Sequence, residues 1–388
     1  MNKNELKLKY EGVYGENDEL RYYFSPGRIN VIGEHIDYNG GLVFPCAISL
    51  GTYAVISLRN DGKIVLYSEG VPKAGIISFS LEEELVKGSN WADYVKGVIS
   101  ETKALGCDVT QGFNAYVYGN LPRGASVSSS ASLELLFAEI IRDLNGLELS
   151  DLDLVKISQK AENNFVGLRC GIMDQFAIGM SKKNYAILLD CATVKYEYVP
   201  LELKDNVILI MNTNKSRSLV TSKYNERCDE CASGLKNIQD NYKKVNFLCE
   251  LEASDLDEVE KIIENPIVYK RVRHVVSEMD RVKKTYTALN ALDLEMVGKL
   301  LNTSHKSLKE DYEVTGLELD TIVELAQSEE GVLGARMIGA GFAGCAIAIV
   351  KKDAVDKVIR NVSEKYRKVI GYDCDILVAE TNDRTGRI

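Results

Sequence analysis

Short apolar runs recur along the chain and predict β-strands. The clearest are rich in β-branched or aromatic residues and read TYAVISL, KIVLYS, GFNAYVYG, NYAILLD and NVILIMNT. Elsewhere apolar residues recur at helical spacing, as in the run from Ser132 to Leu144. Further helices are predicted over residues 152–165, 226–245 and 270–300. Strands and helices alternate in both halves, which predicts an α+β fold with mixed sheets and packed helices.

The length of the chain bears on its domain organisation. With 388 residues it exceeds the size at which a single core usually keeps growing, so two domains are expected. The segment NVILIMNTNKSRS resembles a strand leaving one domain. We therefore expect a boundary near residue 200, with one domain over 1–200 and another over 201–388.

Composition argues against two classes of main partner. The chain has 47 basic and 57 acidic residues, a net charge of -10, which disfavours nucleic acid and anionic membranes. The N-terminus lacks the apolar core of a signal peptide, and the least polar long stretch contains Arg336. Nine scattered cysteines suggest reduced, buried thiols. These features predict a cytoplasmic protein, and we expect a monomer.

The segment GRINVIGEHIDYNGG, from Gly27 to Gly41, is crowded with polar side chains of both charges. Apolar residues between them suggest a strand and a loop that hold these groups in register. A second unusual segment, GNLPRGASVSSSASLELL, places four serines before a predicted helix. Small residues and a helix N-terminus suit an anion such as phosphate. Serines at this position also commonly act as simple helix caps, and the pattern alone does not decide between the two roles.

Two acidic residues lie in unexpected settings. Asp174 follows CGIM in a nearly apolar context, where it could cap a helix or act as a base or ligand in a pocket. Glu162 could be a metal ligand or a solvated residue on a helical face. GAGFAG, from Gly339 to Gly344, matches G-x-G-x-x-G, but a strand-like run follows it, so a tight glycine turn is expected rather than a dinucleotide site.

Three motifs in this order resemble the GHMP family of small-molecule kinases. The family's galactokinase branch has G-R-x-N-x-I-G-E-H-x-D-Y, which is intact from Gly27 to Tyr38. The phosphate-loop motif is similar to PRGASVSSSA, and C-G-I-M-D-Q is intact from Cys170 to Gln175. The glycine turn near the C-terminus is similar to MIGAGFAGCA. The resemblance spans nearly the whole chain and implies a two-domain GHMP-kinase-like fold with the active site between the domains.

The resemblance also implies roles for individual residues. Asp174 would accept or orient the proton of the anomeric hydroxyl of galactose, and Arg28 would keep Asp174 ionised and stabilise the transferring phosphoryl group. The sugar would be bound by Glu34, His35, Asp37, Gly171 and Tyr224. ATP would be bound by Ser68, Gly124, Ala125, Ser126, Val127, Ser128, Ser129 and Ser130. Mg²⁺ would be held by Ser130 and Glu162.

The chain departs from the family pattern at three places. Ser126 and Ala343 stand where glycines are usual, and the C-terminal VAETNDRTGRI lacks the G-D-G-A run of galactokinases. These changes are compatible with weakened ATP binding, with an altered nucleotide preference or with neutral drift. The resemblance implies an ATP-dependent galactokinase; a kinase for another sugar and a catalytically silent sugar-binding regulator are the alternatives.

Overall fold

The computed structural model describes residues 2–122, 127–168, 170–216 and 220–388. It is an α+β structure, as the pattern of strands and helices predicts. The described strands are β1 (Arg21–Asn30), β2 (Leu42–Val43), β3 (Pro45–Arg59), β4 (Lys63–Ser68), β5 (Ile77–Ser80), β6 (Gly112–Gly119), β7 (Tyr185–Asp190), β8 (Tyr196–Pro200), β9 (Asn206–Asn212), β10 (Val332–Met337), β11 (Ala346–Lys351), β12 (Asp375–Ala379) and β13 (Gly386–Arg387).

The described helices are α1 (Lys3–Tyr14), α2 (Ala92–Ala104), α3 (Ser129–Asn145), α4 (Asp151–Lys160), α5 (Met173–Met180), α6 (Val220–Asn241), α7 (Leu256–Ile262), α8 (Pro266–Asn290), α9 (Leu294–Glu310), α10 (Leu317–Gln327) and α11 (Val355–Ile370). A π-helical turn, Ala161–Val166, continues α4. All five predicted strands are present, and the predicted helix at residues 152–165 corresponds to α4 and this turn.

A six-stranded mixed sheet organises the first half of the chain, in the order β13-β1-β3-β6-β4-β5. Only the β4–β6 pair is parallel among its described ladders. Helix α1 covers one face through a small cluster of Leu6, Tyr10, Val55 and Tyr116. Helices α3 and α5 pack against β1 and β3 within the main core. This packing places the first turns of α3 and α5 beside the end of β1.

The second half contains an antiparallel sheet in the order β10-β11-β9-β12. Helices α9 and α10 pack against β10, and α8 packs against both α6 and α9. The glycine-rich motif forms the turn between the antiparallel strands β10 and β11, which confirms a turn and excludes the strand–turn–helix context of a dinucleotide site. A third, three-stranded sheet has the order β2-β7-β8.

The C-terminal residues return to the first sheet. Strand β13 pairs with β1, and the Thr385 and Ser25 hydroxyls lie 2.8 Å apart. The Asn382 amide donates to the Ala47 carbonyl at 3.0 Å. The segment that lacks the family's G-D-G-A run thus supplies an edge strand to the sheet that carries Arg28. A domain boundary near residue 200 stays a prediction, and these last residues lie with the first half.

One helix prediction was wrong. Residues 270–300 do not form one helix, because α8 ends at Asn290 and α9 begins at Leu294. Leu292 has a left-handed backbone (φ 55°), and the Asp293 side chain accepts a hydrogen bond from the Met296 amide. This aspartate cap starts a new helix. Helix α6 also ends at Asn241, before the predicted residue 245. Within the described residues, no helix is long and apolar enough to span a bilayer.

Candidate active site

Loop 31–41 leads from the end of β1 to β2 and has a constrained backbone. Gly33 has φ 101°, and a Cβ there would lie 2.9 Å from the Leu42 carbonyl oxygen. His35 also adopts a left-handed conformation, with φ 63°. Left-handed geometry at a residue other than glycine is uncommon and is concentrated at functional sites. The loop is thus shaped to present particular side chains rather than to make the shortest connection.

Helix α8 holds this loop from the second half of the chain. Glu278 Oε1 accepts from the Gly33 amide at 3.0 Å and from the Ser304 hydroxyl at 2.7 Å. Burial would raise the pKa of Glu278, but the neighbouring Arg281 and other cationic groups lower it to about 2. His274 Nε2 lies 3.2 Å from the Glu34 carbonyl oxygen. Burial lowers the pKa of His274 to about 4, so this contact is made by a neutral ring.

Arg28 and Asp174 form a two-point ion pair beside the start of loop 31–41. Arg28 lies on β1 and is 6% exposed, and Asp174 lies in the first turn of α5. Arg28 Nε and Nη2 donate to the two carboxylate oxygens, each at 2.9 Å. The helix N-terminus adds a favourable field for a carboxylate. Asp174 therefore has a fixed orientation, and its side chain remains 33% exposed to the adjoining cavity.

Ser128 joins the serine segment to this pair. Its hydroxyl donates a hydrogen bond to Asp174 Oδ2. Ser128 precedes α3 in a left-handed conformation (φ 59°), and its side chain makes no capping hydrogen bond to that helix. At Ser128, the contact with Asp174 thus replaces the capping role. The N-terminus of the 17-residue α3 faces the same cavity through Ser129 and Ser130.

The cavity between these elements has a volume of about 400 Å³. Its lining comes from both halves of the chain, as expected for an active site between two domains. The lining residues are Arg28, Glu34, His35, Asp37, Pro122, Val127, Ser128, Ser129, Ser130, Cys170, Gly171, Met173, Asp174, Tyr224, Gly339 and Ala340. Both residues predicted to be catalytic and all five predicted to bind sugar are among them.

His35 is neutral and already has partners on both ring nitrogens. Burial, followed by the neighbouring His274, lowers the pKa of His35 to about 3. Nε2 lies 3.3 Å from the Ala340 carbonyl oxygen, which can only accept, so Nε2 carries the proton. Nδ1 then accepts from the Tyr38 hydroxyl at 2.9 Å. A ligand hydrogen bond to His35 would have to replace or share the longer contact with Ala340.

Asp37 and Tyr224 face the cavity beside His35. Burial, followed by the nearby Glu34 carboxylate, raises the pKa of Asp37 to about 6. A Cβ on Gly171 would lie 3.8 Å from Asp37 Oδ2, so the absence of a side chain at this position leaves space beside the Asp37 carboxylate. The ring centroid of Tyr224 lies 5.7 Å from that of His35. Carboxylate, imidazole and phenol groups thus converge on one polar pocket.

A second polar cluster lies behind Asp174. The fully buried Gln175 donates from Nε2 to Glu162 Oε2 at 2.7 Å and to Glu134 Oε2 at 3.1 Å. Glu134 Oε1 is buried without a hydrogen-bond partner among the described residues. Burial, followed by Glu162, raises the pKa of Glu134. Glu134 lies one helical turn after Ser130 on α3, so the two share a face.

This cluster fits a small divalent cation chemically. A hydroxyl and two carboxylates are the hard oxygen ligands that Mg²⁺ prefers, and an orphaned buried carboxylate oxygen is the kind of atom a cation would satisfy. Among the residues that the structure describes, no group of three or more His, Cys, Asp or Glu side chains has metal-site geometry. Further ligands would therefore have to come from the bound nucleotide or from water.

Not all predicted site residues are found in the described lining of this cavity. Gly124, Ala125 and Ser126 lie outside the described residues. Ser68 ends β4 and Glu162 sits behind Gln175, and neither lines the cavity described above.

Ala343 does not have a positive φ, whereas Gly339, Gly341 and Phe342 do. An alanine at position 343 is therefore sterically compatible with the turn.

Sequence reasoning missed several residues that support the site. Arg336, Glu278 and Gln175 are fully buried and contact residues of the cavity wall or their neighbours. Arg336 and Gln175 carried a signal, since each lies within a largely apolar element. Glu278 carried none, because helix α8 contains many other charged residues. An arginine in the strand VLGARM required a buried acceptor, but the sequence did not identify Glu34 as that acceptor.

Three protein-family models match the chain. A galactokinase galactose-binding signature covers residues 8–58, the N-terminal domain of GHMP kinases covers 93–182, and the C-terminal GHMP kinase domain covers 285–368. The first match contains Arg28 and loop 31–41, and the second contains the serine segment and Asp174.

Full-length relatives agree with these matches. The chain is 47% identical to a galactokinase of Clostridium acetobutylicum and 49% identical to one of Limosilactobacillus fermentum, with 99% of each chain covered in both cases. A crystal structure of Lactococcus lactis galactokinase complexed with galactose superposes with a TM-score of 0.92 at 47% identity, with 99% of both chains covered. Mevalonate kinase, at 19% identity and a TM-score of 0.67, shares the fold. The chain belongs to the galactokinase family of the GHMP kinases.

Proposed function

We propose that the protein transfers the γ-phosphoryl group of ATP to the anomeric hydroxyl of α-D-galactose, with Asp174 and Arg28 at the reacting centre. The observation that carries the proposal is the fixed Arg28–Asp174 pair, which lies between the polar groups of loop 31–41 and the N-terminus of α3. An acceptor hydroxyl in the cavity and a phosphate at the helix would meet at this pair.

The sugar would occupy the side of the cavity formed by Glu34, His35, Asp37, Gly171 and Tyr224. Asp37 can accept hydrogen bonds on both carboxylate oxygens once ionised, and the tyrosine hydroxyl can donate or accept. A hexose carries hydroxyls around its whole rim. A site that pairs those hydroxyls rejects analogues lacking one, because a buried protein group would lose its partner.

The nucleotide would bind on the opposite side, with its phosphates at the N-terminus of α3. Backbone amides at a helix start and the helix dipole favour phosphate oxygens. Ser128 to Ser130 lie at this position, and the family resemblance adds Gly124 to Val127 and Ser68. Ser130 and Glu162 would hold Mg²⁺, with Gln175 fixing Glu162; Mg²⁺ would neutralise charge on the phosphates.

The chemical step follows from these positions. Asp174 accepts the proton of the anomeric O–H as that oxygen forms a bond to the γ-phosphorus. The bond between the γ-phosphorus and the bridging β–γ oxygen breaks, and ADP leaves with the electron pair. Arg28 stabilises the transferring phosphoryl charge and keeps Asp174 oriented. Most of the rate acceleration comes from positioning and charge stabilisation, as is general for phosphoryl transfer.

A sugar panel tests the proposal. Purified protein is incubated with ATP, Mg²⁺ and one of galactose, galactosamine, arabinose or galacturonate, and ADP release and the phosphorylated sugar are measured. We expect galactose to have the highest kcat/KM and the product to carry phosphate at C1. A higher kcat/KM for another sugar would change the substrate, and galactose binding without any ADP release would indicate a sugar-binding regulator.

A further inference from the structure

Arg336 connects the glycine turn to the sugar side of the cavity. It lies on β10, is 0% exposed, and donates from Nη2 to Glu34 Oε1 at 2.8 Å. Glu34 is itself only 4% exposed and lines the cavity. A residue of the C-terminal half thus contacts a predicted sugar ligand of the N-terminal half directly.

The two oxygens of Glu34 have different environments. Oε1 accepts from Arg336 Nη2 at 2.8 Å and from the Gly339 amide at 2.9 Å. In the described parts of the chain, no hydrogen bond engages Oε2. Two donors therefore fix one oxygen of the carboxylate, which leaves the other as the acceptor available to a ligand.

Arg336 also fixes the backbone from which Glu34 projects. Its Nε donates to the Val31 carbonyl oxygen at 2.9 Å, and its Nη2 donates to the Asn30 carbonyl oxygen at 2.8 Å. One planar guanidinium thus holds both the start of loop 31–41 and the side chain three residues further on. A lysine could not reproduce this fork, because its ammonium is a single point of charge.

Stability alone does not account for this arrangement well. Buried ion pairs often contribute little net stability, because desolvation of the two charges offsets their attraction. In addition, Arg336 Nη1 is buried without a hydrogen-bond partner among the described residues. A well-packed apolar pair could fill the same space without an unpaired donor. What the Arg336 guanidinium specifically provides is a fixed orientation of the Glu34 carboxylate.

We propose that Arg336 is a positioning residue for sugar selectivity: through Glu34 Oε1 it aims Oε2 at one hydroxyl of the sugar. The inference rests on the proposed binding of a hexose in this cavity. It assigns the glycine turn a part in recognising the sugar, with Arg336 preceding the turn and Gly339 within it. Arg336 acts through Glu34 and does not itself contact the sugar.

Calorimetry with deoxygenated sugars tests this role without nucleotide or metal. Dissociation constants are measured for galactose and for its 2-, 3-, 4- and 6-deoxy derivatives with the wild-type protein, E34Q and R336K. Discrimination is the ratio of the dissociation constant of a deoxy sugar to that of galactose. The deoxy sugar for which this ratio collapses in E34Q identifies the hydroxyl that is paired with Glu34. Because a hydrogen bond to a charged group contributes about 1.5–3 kcal/mol, that collapse should be roughly 10- to 100-fold.

R336K should lose discrimination against the same deoxy sugar, by about 5-fold or more, and keep the other ratios. Uniform weakening for all five sugars, or loss of discrimination at a different hydroxyl, would overturn the positioning role. R142K is the matched control, since Arg142 forms a similar fork with Glu139 and Asp151 outside the cavity. Its sugar profile should equal that of the wild type.

A second variant keeps the inference testable if R336K does not fold. The double variant E34Q/R336Q leaves neither buried charge alone, and its profile should match that of E34Q. A further change in selectivity would show that Arg336 acts independently of Glu34 and would contradict the inference. If the wild-type protein binds no hexose at all, the proposed function fails, and that result is distinguishable from a failure of the positioning role.

Discussion

Arg28 and Asp174 meet through two hydrogen bonds of 2.9 Å, one to each carboxylate oxygen, although 146 residues separate them in sequence. The arginine comes from the end of β1 and the aspartate from the first turn of α5. Because Ser128 donates to the same carboxylate, the three motif segments that contain Arg28, Ser128 and Asp174 meet at this aspartate.

Replacing Arg28 by lysine should slow the chemical step. The variant R28K keeps the charge but cannot bond both carboxylate oxygens and the phosphoryl group together. We expect kcat to fall by roughly 100-fold, while the dissociation constant for galactose changes by less than about 5-fold. Steady-state kinetics and calorimetry measure the two effects, with R142K as the control. An unchanged kcat would remove Arg28 from the reacting centre.

Galactose binding should weaken as the pH falls through about 6. Burial and the nearby Glu34 raise the pKa of Asp37 to about 6, and only the ionised carboxylate accepts hydrogen bonds on both oxygens. We expect the affinity to fall towards tenfold per pH unit below this value. D37N should bind galactose about 10- to 100-fold more weakly at pH 8 and lose the dependence. A wild-type affinity that is constant from pH 5 to pH 8 would contradict the assignment.

The substitution D37N should also stabilise the fold at high pH. The pKa of Asp37 is about 6 in the folded protein and 3.8 in the reference state, so the folded state binds more protons between these values. Its carboxylate therefore costs stability increasingly as the pH rises from about 4 to 6, and the whole cost is present above pH 6. D37N should raise the free energy of unfolding by about 3 kcal/mol at pH 8 and by little at pH 4. Urea unfolding at the two pH values measures this difference.

Gln175 and Glu162 should control the divalent-cation requirement. Gln175 holds Glu162 at 2.7 Å, and partners of a metal ligand commonly contribute 10- to 100-fold to metal affinity. We expect E162Q and Q175L each to raise the half-saturating Mg²⁺ concentration by about 10-fold or more. Mn²⁺ titration followed by electron paramagnetic resonance, with a non-hydrolysable ATP analogue, provides a readout independent of turnover. E139Q on the same helix α3 is the control and should leave cation binding unchanged.

The glycine turn between β10 and β11 should not tolerate alanine at position 341. Gly341 has φ 78°, and a Cβ there would lie 2.2 Å from the Val314 carbonyl oxygen. G341A should therefore destabilise the fold by about 2 kcal/mol or more. G12A is the matched control, because a Cβ on Gly12 in α1 meets no atom within 4 Å. It should stabilise the fold by about 0.5–1 kcal/mol, and equal effects of the two substitutions on thermal unfolding would contradict the steric argument.

The sequence predicted five of the described strands because their signals are local, whereas the cavity residues came from the resemblance of its motifs to the GHMP kinases. Short runs of β-branched or aromatic residues predicted β3 and β6, and the first motif placed Glu34, His35 and Asp37 in one segment. The break between α8 and α9 was missed, because neither glycine nor proline marks it. Asp293, a good N-cap residue, was the available signal.

Long-range pairing explains the other failures. Nothing near Arg336 in the sequence identifies Glu34, 302 residues away, as its partner. The pairing of the C-terminal strand with β1 was likewise not foreseen, because a two-residue strand has no periodicity to detect. The left-handed backbone of His35 depends on contacts from α8 and from the glycine turn, which only the folded chain brings together.

The most direct test of the central claim is the activity of D174N measured together with its galactose affinity. The substitution keeps the size of the side chain and removes its ability to accept a proton as a carboxylate. We expect galactose 1-phosphate formation, followed by ³¹P nuclear magnetic resonance, to fall by about 1,000-fold or more, while galactose still binds within about tenfold of the wild-type affinity. A D174N protein that forms galactose 1-phosphate at a rate close to that of the wild type would contradict the proposed role of Asp174.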